Sequence, residues 1–335
     1  MKRIISLLLA LALTLSLTAC TAPAEKADDG KIQIVATLFP YYDFARAIAQ
    51  DRADVTLLLS PGREAHSFEP TPLDAVTISE ADVFLYNGGE GEYWVESMLD
   101  AAGEHIAVAS RMMDYVDALN EEYVEGMQGA DGHDHDHEHG SHDDHDHDHE
   151  EDEHDSDEIE YDEHIWTSPK NAVVLCRAVC DAICRADAEN AAFYRANCEN
   201  YCAQLEDLDA RFAALCESAP RRLLIFADRF PMLYFCREYG LDYRAAFHGC
   251  SGDTEPSLAT IKFLIDKVED ENIPVVYTID FGTKKVAAVV SECTGAAIET
   301  LYSMQTVSRA DFDAGETYLT LMERNFEALR KGLNA

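Results

Sequence analysis

Ile32-Gln33-Ile34-Val35-Ala36-Thr37 alternates as a half-buried strand does, and after the turn Pro40-Tyr41-Tyr42-Asp43 the run Phe44 to Gln50 has helical spacing. The same couplet repeats outward from it. Val55 to Leu59 reads as a second strand, cut by Pro61-Gly62, and Thr71 to Glu80 as a helix. Val83-Phe84-Leu85-Tyr86 reads as a buried strand ending at Asn87-Gly88-Gly89, and Trp94 to Ala102 as another helix. Strands alternating with helices predict parallel βα units, hence an α/β lobe. The alternation returns at Leu223 to Phe226, Tyr243 to Phe247, Val275 to Ile279 and near Ile298. Helical spacing falls there on Met232 to Tyr239, Ser257 to Glu269 and Tyr318 to Leu333. Two α/β lobes, each with a mostly parallel sheet flanked by helices, are therefore expected, with a cleft between them.

Between the lobes Ser168-Pro169 opens a helix from about Lys170 to Ala186, with Ser168 as N-cap and Pro169 at the first helical position. Asp187 is expected to cap a second helix, Ala188 to Ser218, which holds no Gly or Pro and at 1.5 Å per residue is roughly 45 Å long. Such a helix joins two lobes rigidly. The ends of the chain suggest a different environment from its middle. Lys2 and Arg3 precede an apolar run, Ile4 to Leu17, too short to cross a bilayer, which reads as a secretion signal. Leu17-Thr18-Ala19-Cys20 resembles the bacterial lipobox, whose cysteine is lipidated. The expected organisation is a signal peptide over 1–19, a lipidated tether over 20–30, an N-terminal lobe over 31–186, a linking helix over 187–218 and a C-terminal lobe over 219–335. Its expected location is the extracytoplasmic face of the cell membrane, held by Cys20.

A net charge of −38 argues against nucleic acid and against an anionic membrane surface, and makes cations the natural partners. Between Asp131 and Glu163 there are eighteen acidic residues and no Lys or Arg, and the whole stretch from 121 to 162 is expected to be a disordered loop. Within it His133, His135, His137, His139, His142, His145, His147, His149 and His154 alternate with carboxylates, a donor set for borderline-soft cations. A flexible loop imposes no single geometry, so modest affinity and a buffering or capture role follow. Of the ten cysteines, lipidation of Cys20 leaves nine, which cannot all pair. Cys176, Cys180 and Cys184 share one helix face, as do Cys198 and Cys202 on the next helix. They read first as small buried hydrophobes. If the two helices form an antiparallel hairpin about Asp187, Cys176 and Cys198 lie at one height, and a disulfide between them is chemically permitted, with Cys202 one turn further along as the competing partner for Cys176.

Three places carry metal-capable side chains at strand ends or on loops, where parallel α/β lobes bind ligands. They are His66 in Pro61-Gly62-Arg63-Glu64-Ala65-His66-Ser67-Phe68-Glu69-Pro70, His164 just ahead of a helix cap, and Asp280 after the strand that ends at Ile279. No Gly-x-Ser-x-Gly, His-Glu-x-x-His or phosphate loop points to an enzyme.

The runs His66-Ser67-Phe68-Glu69-Pro70, Ala81-Asp82-Val83-Phe84-Leu85-Tyr86-Asn87-Gly88, His164-Ile165-Trp166-Thr167-Ser168-Pro169, Tyr239-Gly240-Leu241 and Glu255-Pro256-Ser257 together resemble the zinc and manganese solute-binding lipoproteins of bacterial ABC importers. The resemblance covers nearly the whole chain after residue 30. It implies a monomer that takes Zn2+, with Mn2+ or Fe2+ as alternatives, between its lobes through His66, His164 and Asp280, and delivers it to an importer permease. The family's remaining ligand, a histidine or glutamate some ten residues before the Tyr-Gly-Leu run, falls on Arg229, which cannot ligate a cation. Asp228 is the expected substitute, with His248 behind it. Two histidines with two carboxylates suit manganese or iron(II) better than three histidines do, while the imidazole-rich loop favours zinc. The alternative function is a surface metal-buffering or adhesin-type lipoprotein without a transport role.

Overall fold

A computed structural model describes residues 30–63, 68–128, 160–251 and 255–334. The first sheet is built from β1 (Ile32–Ala36), β2 (Ala53–Leu57), β3 (Val83–Tyr86) and β4 (Val108–Arg111), in the order β2-β1-β3-β4 with every pair parallel. The second repeats that topology with β5 (Leu223–Phe230), β6 (Asp242–His248), β7 (Val275–Ile279) and β8 (Ala297–Leu301), in the order β6-β5-β7-β8 and again all parallel. In each sheet the chain order reverses beside the first strand, so each lobe has a switch point at the carboxyl ends of its central strands. That is where open α/β sheets take ligands.

The helices in chain order are α1 (Phe39–Ala49), α2 (Pro72–Ser79), α3 (Val95–Ala102), α4 (Pro169–Ala186) and α5 (Ala191–Ser218). They continue with α6 (Leu233–Tyr239), α7 (Leu258–Asp270), α8 (Lys285–Thr294), α9 (Arg309–Asp313) and α10 (Tyr318–Leu333). The caps explain several boundaries. Thr71 and Asp74 form a reciprocal capping box ahead of Pro72, and Ser168 accepts from the Asn171 amide with Pro169 in the first turn. Two expectations shift. α1 begins at Phe39 rather than Phe44, because Pro40 sits in its first turn, where a missing N–H costs nothing. Asp187 is not the N-cap of α5. Its carboxylate accepts from Asn190 and from the Tyr194 hydroxyl at 2.6 Å, shaping the turn after α4, and α5 starts at Ala191.

Alternation along β5 shows how both faces of the second sheet are buried. Leu224 and Phe226 join a core that also takes in β1, β3, α1, α4, α5 and α10, while Ile225 and Ala227 pack with Leu264, Val268 and Val290 on the far side. The first of these cores is continuous from one sheet to the other. α5 is 28 residues long, about 42 Å, and places Tyr201, Leu205, Phe212 and Leu215 in it.

The acidic stretch is ordered further than expected at both ends. Asn120 and Tyr161 form an antiparallel bridge, and the Gln128 amide donates to Ala246 O at 3.0 Å. His66, the nine histidines from His133 to His154, and Cys20 lie outside the described residues. The nine cysteines after Cys20 are free thiols, so the Cys176–Cys198 bond is not formed. Among the described residues no helix is long and apolar enough to cross a membrane.

Candidate metal centre

His164 is held before α4 by its own neighbours. It is buried at 2% exposure, Asp162 Oδ1 accepts from its backbone amide at 2.8 Å, and the same oxygen lies 3.1 Å from the ring Nδ1. A carboxylate on Nδ1 fixes the tautomer with its lone pair on Nε2, the arrangement of metal-ligating histidines. Burial works against a charged ring, but Asp162 outweighs it, with Glu121 and Glu163 adding to the effect, and the His164 pKa stands above its ordinary value.

Asp280 follows β7, at the switch point of the second sheet. Ser303 N donates to Asp280 Oδ1 at 2.7 Å, and the Trp166 indole donates to Ser303 O at 2.7 Å. One residue thus ties Asp280 to the segment that carries His164. Both line a recess of about 320 Å³ together with Arg229, Pro231, Ser303 and Gln305.

The structure brings neither Asp228 nor His248 into this recess. β5 carries an extra residue between Phe226 and Arg229 relative to β6, a bulge that re-aims the side chains after it. Arg229 faces the recess and Asp228 turns toward β7. There Asp228 Oδ2 accepts from the Thr278 hydroxyl at 2.6 Å and from Ile279 N at 3.3 Å, while Oδ1 accepts from Arg229 N at 2.9 Å. A Cβ on Gly282 would overlap that carboxylate, so the approach needs glycine. His248 instead stands 3.3 Å from Glu121 Oε2, and that carboxylate raises the His248 pKa.

A second recess of about 360 Å³ lies at the switch point of the first sheet, lined by Thr37, Phe68, Asn87, Glu92, Trp94 and Glu163. Gln305 lines both recesses. Burial pushes the Glu92 carboxyl up to about 7, against the Thr37 hydroxyl and the Gly88 amide, the latter donating to it at 2.8 Å. Trp94 Nε1 is buried without a hydrogen-bond partner among the described residues. The chain on either side of His66 is anchored nearby: Gly62 N donates to Val307 O at 2.8 Å, and Phe68 packs edge-on against Trp94. Sequence reasoning passed over Asp162, Glu163, Glu92 and Gln305. Only Asp162 left a signal, a carboxylate two residues before a candidate ligand.

Residues 34–332 match the family described as zinc-uptake complex component A, periplasmic. The chain belongs to this family. It is 30% identical over 306 residues to the high-affinity zinc uptake system protein ZnuA of Bacillus subtilis, covering 90% of this chain and 88% of that protein. It is also 30% identical over 334 residues to the zinc-binding lipoprotein AdcA of Streptococcus pneumoniae, covering 99% of this chain but 61% of AdcA. The Zn(II)-bound ZnuA-like domain of Streptococcus pneumoniae AdcA superposes with a TM-score of 0.71 at 25% identity, covering 91% of this chain and all of that one. The two-lobed fold is therefore that of the family.

Proposed function

We propose that the protein captures Zn2+ between its lobes through His66, His164 and Asp280 and delivers it to an ABC importer permease, while a lipid on Cys20 keeps it at the outer face of the membrane. The observation that carries this reading is the convergence of a carboxylate-oriented histidine and Asp280 on one recess, with Ser303 bonded to Asp280 and to Trp166 of the segment that carries His164. Anchoring of Gly62 and Phe68 close to Gln305 and Val307 supports His66 as the third ligand. Three protein ligands leave one position on a tetrahedral zinc for water, which suits a cargo that must leave again. Asp228 would serve as a fourth ligand only by giving up Thr278 and Ile279, and His248, held by Glu121 at Nδ1, is not among the residues lining the recess. α5, packed in the core common to both sheets, acts as the rigid tie between lobes. The nine-histidine segment collects zinc at modest affinity and feeds the cleft. Growth and metal accumulation under zinc limitation test the reading in cells that lack the chromosomal copy. Wild-type protein should restore both, and Asp280→Ala should restore neither although it is exported and folded. Full rescue by Asp280→Ala would overturn the assignment.

A further inference from the structure

The α4–α5 hairpin gathers thiols that the zinc cleft does not use. Cys176 on α4 faces Cys198 and Cys202 on α5, all three buried, with their sulfurs within 4.8 Å of one another and 3.8 Å between Cys198 and Cys202. Among the described residues this is the group of metal-capable side chains that comes together so closely. Packing as small hydrophobes explains burial but does not require three sulfurs to converge on one point. Metal–thiolate bonds of about 2.3 Å set the sulfurs of a trigonal site about 4 Å apart, close to the spacing present before any ion enters.

We propose that Cys176, Cys198 and Cys202 form a second metal site, trigonal and all-sulfur, for a soft monovalent cation of the Cu(I) type. The donor set selects the ion. Thiolates favour Cu(I), whereas structural zinc takes four ligands, and Cys180, which neighbours Cys198, lies outside the mutually close trio. As thiols, Cys198 donates to Cys176 O and Cys202 to Val173 O. Metal binding at thiols expels protons, so affinity rises with pH. Burial inside the hairpin makes this a retaining site, in contrast to a cleft that must release its cargo.

The full-length protein, reduced and supplied with excess zinc to occupy its imidazole donors, is titrated anaerobically with Cu(I) in acetonitrile against a chromophoric Cu(I) chelator. X-ray absorption at the copper edge reads the ligands. One tightly held equivalent with sulfur-only coordination is expected. Cys198→Ala and Cys176→Ala should each weaken retention at least tenfold with helix content unchanged, whereas Cys216→Ala and Cys293→Ser should match wild type. Sulfur-bound copper that persists in both cluster variants would overturn the proposal. So would copper held by nitrogen alone, or a count of two missing free thiols that maps to a Cys176 disulfide in the exported protein.

Discussion

Glu92→Gln should stabilise the metal-free protein at pH 8. Glu92 is buried, and one oxygen accepts from Gly88 N with the Thr37 hydroxyl also beside the carboxyl. Burial raises its pKa from 4.5 to about 7. At about 1.36 kcal/mol for each tenfold change in proton affinity, ionised Glu92 costs the folded state about 3 kcal/mol. The sign follows from proton binding. The native state holds this proton more tightly than the unfolded chain, so stability is highest below pH 4.5, falls as pH rises to about 7, and is level above that. Gln keeps the acceptor for Gly88, and its NH2 can donate to the Thr37 hydroxyl that lines the same recess. For a chain of this length the gain corresponds to a Tm rise of about 4 to 5 °C. Thermal unfolding in a chelator, at pH 5 and pH 8, reads it. The variant should melt clearly higher at pH 8 and nearly level with wild type at pH 5. A variant equal to or less stable than wild type at pH 8, or one stabilised equally at both pH values, would refute the reasoning.

Asp162→Asn should keep the hydrogen bond to the His164 amide but loosen control of the ring tautomer, weakening zinc binding by about 10- to 100-fold in chelator competition. Arg229→His, which exchanges a positive charge in the recess for a donor, should tighten zinc by about tenfold or more by calorimetry. Zinc affinity should fall as pH drops through the His164 pKa, which Asp162 holds above 6.5, because the ring must lose its proton to ligate; titrations from pH 8 to pH 5.5 follow it.

The fold was legible because its signal is periodic. β1, β3, β7 and α10 fall where alternation and helical spacing put them, and the Ser168-Pro169 cap marks the start of α4 to within a residue. β4 escaped notice since Val108-Ala109-Ser110-Arg111 is a short edge strand with polar positions, and α8 because nothing before Lys285 signals a cap. The candidate site was legible only in part. His164 and Asp280 sit at a helix start and a strand end, positions a sequence marks. Asp228 was preferred on the assumption that the strand ended at Phe226, yet β5 runs on through a bulge to Phe230, and one extra residue exchanges which side chain meets the recess. Asp162 and Glu92 act through burial and a few hydrogen bonds, which depend on the tertiary path of the chain.

The most direct test of zinc capture in the cleft is calorimetry on protein lacking Asp131 to Asp157, alone and combined with His164→Ala. One tight zinc event that survives the deletion and disappears with His164→Ala is the predicted result. Tight binding abolished by the deletion alone, or unchanged when His164 is removed, would contradict it.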